Sequence, residues 1–265
     1  MDPRLEVQVM PASSSVVRPH PLLFVHGAWH AAWCWQPHFM PFFAAHGYEC
    51  HALSLRGHGA SEGRARLRYT RLQAFVSDVR RVAEELTTPP VIIGHSMGGL
   101  IVQMLLAQWR PAAAVLLCPY NRAANIRWIR ELLPTNVSRV AAAFLRANPY
   151  LLVCDREFAI TLFFSEDLPR DRATGWADML QTESYFALLE LMAPKTPDPR
   201  AIQTPMLVAC ADQDALFDPE AGEAMARRYG ADFEILHGLA HDAMLDTRWE
   251  EAARCLLSWF DARGL

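Results

Sequence analysis

A chain of 265 residues, 52% of them hydrophobic, can bury a large core, and a formal net charge of -4 from 25 basic and 29 acidic side chains leaves no basic surface for nucleic acid. No apolar run approaches the roughly 20 residues that span a bilayer, and the amino-terminal stretch lacks the apolar core of a secretory signal, so no stable membrane anchor is expected. The six cysteines show no C-x-x-C spacing, which argues for reduced thiols in the cytoplasm and against a cysteine metal site.

Short apolar runs alternate with longer helical patterns, the rhythm of parallel β-α-β units. Strands are predicted over 5–9 and 22–26. The second ends in His26-Gly27, where the chain can turn tightly and aim the amide of Ala28 inward. A helix over 33–46 and a strand over 48–54 follow, the latter running into the turn-rich "LRGHGAS" at 55–61. Next come a helix over 70–86, a strand over 90–94 and a helix over 97–110, with "VIIGHSMGGL" (91–100) at their junction. Ser96 sits there between Gly94, Gly98 and Gly99, in the strand-turn-helix setting of a nucleophile elbow. A side chain at Gly94 or Gly98 would collide with the neighbouring strand or helix. After a strand over 112–118 the rhythm breaks for 119–204, far more chain than a crossover needs. This insertion carries Trp128, Phe144, Tyr150, Phe158, Phe163, Phe164, Trp176, Met179, Tyr185, Phe186 and Met192 among charged residues. It should fold as amphipathic helices whose undersides line an apolar pocket. The rhythm then resumes with a strand over 205–211, a helix over 219–229, a strand over 232–237 and a helix over 247–262.

A serine hydroxyl attacks only when a neighbouring base takes its proton, and the base needs an acid to hold its tautomer. Reactive groups gather at the carboxyl ends of parallel strands. "FEILHGLAHDAMLD" (233–246) offers His237 at the strand end and His241 in the loop beyond it, and the loop position favours His241 as base. "MLVACADQDALFDP" (206–219) offers Asp212, Asp214 and Asp218; Asp214 is in the turn and best able to reach the base, while the other two suit capping. The amides of Met97, at the start of its helix, and of Ala28 would hold an oxyanion. His26 suits a turn-stabilising role, and His30 either bonds within its loop or reaches the pocket mouth.

The order Ser96, Asp214, His241, the G-H-S-M-G-G elbow, the H-G loop and "LRGHGAS" together resemble the α/β-hydrolase superfamily from about residue 20 onward. "HGAWHAAWCW" (26–35) is similar to the first loop of small esterases and of plant methylesterase and hydroxynitrile lyase relatives, and cap-bearing bacterial esterases and monoacylglycerol lipases are equally close. The resemblance implies an α/β fold with a mostly parallel eight-stranded sheet, a core over 1–118 and 205–265, and a helical cap over 119–204. It departs from the common pattern at Ser54, where many members carry an aspartate. Hydroxynitrile lyases resemble one another in a lysine after the histidine, whereas Asp242 stands here. The expected function is hydrolysis of a carboxylic ester of an apolar acyl or aromatic substrate through an acyl-enzyme. Thioester or lactone cleavage, a hydroxynitrile-lyase-like reaction and a non-catalytic binding role are the alternatives. Trp29, His30, Trp128, Phe163, Trp176 and Tyr185 are the expected substrate contacts. No metal or organic cofactor is called for, and the partner is a small-molecule ester bound by a monomer or homodimer.

Overall fold

Apolar runs buried on both faces are what a parallel sheet covered by helices requires. A computed structural model, describing residues 2–121 and 133–265, joins these runs in one sheet. In chain order the elements are β1 (Glu6–Met10), β2 (Leu22–Val25), α1 (Phe39–Ala45), β3 (Cys50–Ser54), α2 (Leu72–Glu85), β4 (Val91–His95), α3 (Met97–Leu106), β5 (Ala113–Leu117), α4 (Leu133–Leu145), α5 (Arg156–Phe163), α6 (Arg170–Asp178), α7 (Tyr185–Met192), β6 (Met206–Ala211), α8 (Pro219–Tyr229), β7 (Asp232–Leu236) and α9 (Trp249–Asp261). The strands lie in the order β1-β3-β2-β4-β5-β6-β7, with β1 antiparallel to β3 and every other pair parallel. The described residues thus hold seven strands rather than the eight that the resemblance implied. Between β1 and β2, residues 11–21 contain Pro11, Pro19 and Pro21, which remove ladder donors, and no strand forms there.

Alternation within the strands divides the core. Leu22 and Phe24 face α1 and α9, where Phe39, Phe43 and Phe260 pack. Leu23 and Val25 face α2, α3 and α8, where Phe75, Val79, Ile101 and Met225 pack. The helix expected over 33–46 is broken into a short 3-10 turn at Ala32–Trp35 and α1. Pro37 lies in the break and has no amide to donate, and His38 (φ -135°, ψ -61°) leaves helical geometry just before α1. Helix α8 is bounded as its sequence suggests, with Asp218 capping the Glu220 amide at 2.9 Å and Gly230 left-handed (φ 62°) after its last turn.

Helices α4 to α7 stand between β5 and β6, and hydrogen bonds stitch them to two loops at the strand ends. The Gln181 amide donates to Trp29 O and its side chain to His30 O, both at 2.9 Å. On the other side the Asp242 amide donates to Phe163 O at 2.9 Å, and Asp246 accepts from the amide of Ser165 at 3.1 Å and from its hydroxyl. The cysteines are all free thiols, with Cys34, Cys50, Cys118 and Cys210 buried. No helix of the described residues is long and apolar enough to cross a membrane.

Candidate active site

Ser96 joins β4 to α3 with φ 52° and ψ -119°, a conformation that costs a non-glycine residue free energy. Its amide donates to Leu117 O at 3.1 Å and its carbonyl accepts from Gly99 and Tyr120, so the turn is held from three sides. The flanking glycines let helix and sheet approach this closely. A Cβ on Gly94 would lie 2.6 Å from Gly98 O, and one on Gly98 would lie 2.5 Å from Val25 O and 2.6 Å from His26 O. No side chain fits against those carbonyls.

Asp214, in the turn after β6, reaches His241, in the loop after β7, with Oδ2 2.7 Å from Nδ1. Both side chains are 1% exposed. The other carboxylate oxygen accepts from the amides of Leu216 (2.7 Å) and Phe217 (3.0 Å), which fixes the carboxylate plane. The competing acids are elsewhere: Asp212 holds the exposed His237 and the Gly238 amide, and Asp218 caps α8. Phe217 sets its ring edge-on to His241 at 4.9 Å.

The loop after β2 is held by two buried histidines. His26 Nδ1 donates to Gly27 O at 2.8 Å and Nε2 accepts from the Leu55 amide at 3.1 Å, so the ring is the neutral Nδ1-H tautomer. Burial, reinforced by the His58 ring, pushes its pKa well below the usual histidine value. His30 contacts Ala28 O through Nδ1 (2.8 Å) and Asp242 Oδ2 through Nε2 (2.9 Å). Burial opposes a charge on His30, but the Asp242 carboxylate outweighs it and holds the pKa above the ordinary value. Burial likewise works against the Asp242 charge, yet His30 keeps its pKa below the usual carboxylate value. Between these groups His95 donates Nε2-H to His241 O at 3.0 Å, and burial together with His241 lowers its pKa to about 3. His95, His241 and Asp242 bring one potential ligand atom each within 4.8 Å of one another. Asp242 Oδ2 is ion-paired with His30 and His95 Nε2 donates to the His241 carbonyl, so both side chains are engaged in a buried polar network. At the edge of the site, Ser54 stands where the resemblance led one to expect an aspartate, but Glu6 of β1 supplies a carboxylate. It accepts from Ser54 Oγ (2.7 Å) and the Ala60 amide (2.8 Å), and the Ser54 hydroxyl in turn accepts from the Ala32 amide.

A pocket of about 120 Å³ is lined by Ser96, Ala28, Met97 and Trp29; a single water needs only about 10–15 Å³. Met97 is the first residue of α3, so its amide lacks an intrahelical acceptor. The rest of the wall is largely aliphatic and aromatic: Val140, Phe144, Leu152, Val153, Phe158, Leu162, Leu188, Leu191, Met192, Leu216 and Phe217. Arg139, the charged side chain on the described wall, is tied to Asp155 at 2.7 Å and stacks on Phe158 at 4.3 Å.

Of the expected substrate contacts, Trp29 is on this wall, and Trp128 lies outside the described residues. The others are off it. His30 is turned inward to Asp242; Phe163 is 1% exposed, packed behind His241 and His30; Trp176 stacks on Trp33 at 6.0 Å; Tyr185 packs against Phe144. Large rings in the insertion largely serve packing beside the pocket. The wall instead uses stripes spaced by a helical turn, Phe158 with Leu162 and Leu188 with Met192, a signal present in the sequence but shared with any buried helix.

A family model described as "Alpha/beta hydrolase family" matches residues 22–254. In sequence the chain is 34% identical over 110 residues to a Mycobacterium tuberculosis H37Rv protein carrying the name non-heme bromoperoxidase BpoC; the match covers 40% of this chain and only 41% of that relative's length. The crystal structure of BpoC superposes with a TM-score of 0.77 at 23% identity, over 99% of this chain and 97% of that one. A thermophilic esterase from Thermogutta terrifontis superposes with a TM-score of 0.75 at 19% identity, over 99% of this chain and 95% of that one.

Proposed function

The chain belongs to the alpha/beta hydrolase family, and from that premise we propose that it is a serine hydrolase cleaving a carboxylic ester of an apolar acyl or aromatic group through an acyl-enzyme. The observation that carries this reading is the 2.7 Å contact of Asp214 with His241 beside an apolar pocket whose wall includes Ser96. Residues 119–204 act as the cap over that pocket.

In the proposed reaction His241 Nε2 takes the Ser96 proton as Oγ bonds to the acyl carbon. The carbonyl oxygen becomes an oxyanion held by the amides of Ala28 and Met97. His241 then gives its proton to the departing alcohol as the ester C–O bond breaks. Water repeats the sequence on the acyl-enzyme, releasing the acid and restoring Ser96. Asp214 holds Nδ1-H throughout, leaving Nε2 free to accept. A lyase reaction that relies on a lysine after the base has no counterpart, since Asp242 is spent on His30.

A fluorophosphonate probe tests the assignment, because an activated serine is what it captures. We expect a single adduct at Ser96 and loss of both labelling and hydrolysis of a chromogenic ester in Ser96→Ala. A folded wild-type protein that is not labelled and hydrolyses nothing would favour a binding role instead.

A further inference from the structure

The ion pair of His30 and Asp242 lies behind the reacting atoms, with side-chain exposures of 1% and 0%. It bridges two loops on opposite sides of the site. His30 is two residues after Ala28, and Asp242 directly follows His241. A carbonyl and an ionised carboxylate can only accept, so a ring that touches Ala28 O at 2.8 Å and Asp242 Oδ2 at 2.9 Å must donate from both nitrogens. That ring is an imidazolium. On the other side of Ala28, neutral His26 holds Gly27 O. In a trans peptide the carbonyl and the N–H point in opposite directions. Holding Gly27 O therefore aims the Ala28 amide, and holding Ala28 O stops the next peptide from rotating. The following residue, Trp29, has φ 65°, a strained conformation that persists only where neighbours enforce it.

We propose that protonated His30, charged against Asp242, is a positioning residue that straps the oxyanion loop to the base loop, so that turnover falls when His30 gives up its proton. The proposal rests on the serine hydrolase reading. The ionisable groups around the ring are Asp242 from the base loop, Glu183 from the insertion, His95 at the end of β4 and His26 of the same loop; His241 and Cys34 act on the Asp242 side. The two carboxylates favour the charged ring, while His26 and His95 oppose it. Trp33, stacked at 5.4 Å, and Phe163, edge-on at 5.5 Å, pack against the ring. Because the His30 pKa is raised, the strap is intact below the ordinary histidine range and is lost as pH rises through the higher folded value.

The experiment is the dependence of kcat and KM on pH, from 5 to 10, for the wild type, Asp242→Asn and His30→Ala, each checked by circular dichroism. In Asp242→Asn a neutral ring satisfies both contacts, donating Nδ1-H to Ala28 O and accepting from the asparagine amide. The fall in kcat at high pH expected of the wild type should therefore vanish. His30→Ala should lower kcat by about 10- to 100-fold with KM nearly unchanged, less than the roughly 10²- to 10³-fold loss on deleting an oxyanion donor outright. A purely structural pair would lower the melting temperature and leave the shape of the profile alone. Identical alkaline limbs in wild type and Asp242→Asn, with Ser96→Ala inactive, would overturn the strap while leaving the serine reading intact; Ser96-independent hydrolysis would overturn that reading itself. Should His30→Ala not fold, ¹⁵N-histidine spectra of the wild type decide. Two N–H protons on His30 at neutral pH, one lost together with turnover on raising the pH, support the proposal, and a single N–H at neutral pH refutes it.

Discussion

Replacing Asp214 by asparagine is the sharpest test of the triad assignment, because the two carboxylate oxygens have different tasks. One accepts the amides of Leu216 and Phe217, and the other meets His241 Nδ1 at 2.7 Å. In Asp214→Asn the amide nitrogen cannot face two N–H donors, so the asparagine oxygen keeps that position and its NH₂ turns to His241. The imidazole must then accept at Nδ1, which puts its proton on Nε2 and leaves no lone pair for the Ser96 proton. The fold keeps both turn hydrogen bonds. The expected loss in kcat is about 10⁴-fold, as for the wrong tautomer in a serine triad, or about 5 kcal/mol of barrier. The assay is turnover of a chromogenic ester, with circular dichroism to establish folding. Asp212→Asn alters a carboxylate that bonds His237 and the Gly238 amide away from His241, and Asp218→Asn retains a good helix cap, so both should stay active. A folded Asp214→Asn within about tenfold of wild type, or a crippled Asp212→Asn, would refute the assignment of the acid.

Gly98→Ala sets a Cβ against two backbone carbonyls that cannot swing aside, and should cost about 1–3 kcal/mol of stability in urea unfolding along with most activity; an unchanged midpoint would show that strand and helix can separate freely. Glu6→Gln weakens the acceptor for Ser54 and Ala60, and since Glu6 is partly exposed the loss should be about 1 kcal/mol. Burial works to raise the Glu6 pKa, but the bonds from Ala60, Ser54 and Gln8 outweigh it and leave it lowered, so this stabilisation is complete above the ordinary carboxylate range and is lost as pH falls through the folded value. The gap between wild type and variant should close in acid, and one that persisted undiminished at pH 3 would count against it. Medium-chain esters should be hydrolysed better than acetate, each buried methylene adding about 0.8 kcal/mol of binding; equal kcat/KM values would mean that the acyl chain does not enter the pocket.

The sheet was legible because strands such as β4 and β5 are buried throughout, and a chain can meet that demand only with short continuous apolar runs. Their ends fall within a residue or two of the expected positions. The tight turn at Ser96 was equally readable, since Gly94 and Gly98 are sites where any Cβ meets backbone. Less legible were features that depend on which way a side chain turns. His30 has the spacing of a pocket residue, but its loop directs it inward to Asp242, 212 positions away in sequence. The insertion's rings behave likewise: Phe163 and Trp176 are apolar and near the site, yet apolar character alone does not separate a wall from the packing behind it. Glu6 replacing the aspartate at position 54 was invisible for the same reason, because it depends on the antiparallel register that pairs Glu6 with Ser54.

The stitching of the insertion to both loops bears on how far this chain is modular. Gln181 is bonded to the loop after β2, and Phe163 and Ser165 to the loop after β7, so residues 163–181 hold the surroundings of Ala28 and His241 as well as shaping a pocket. A graft that exchanged 119–204 for the corresponding segment of a relative, to change substrate range, would therefore put at risk seven hydrogen bonds that run into these two loops, two of them from Trp29 to Glu183 and Pro149. Such a chimera should lose turnover even on acetate, the ester least dependent on the pocket wall, and should recover it when residues 28–30 and 241–246 are transplanted along with the insertion. The unit of exchange would then be the insertion plus the two loops it holds.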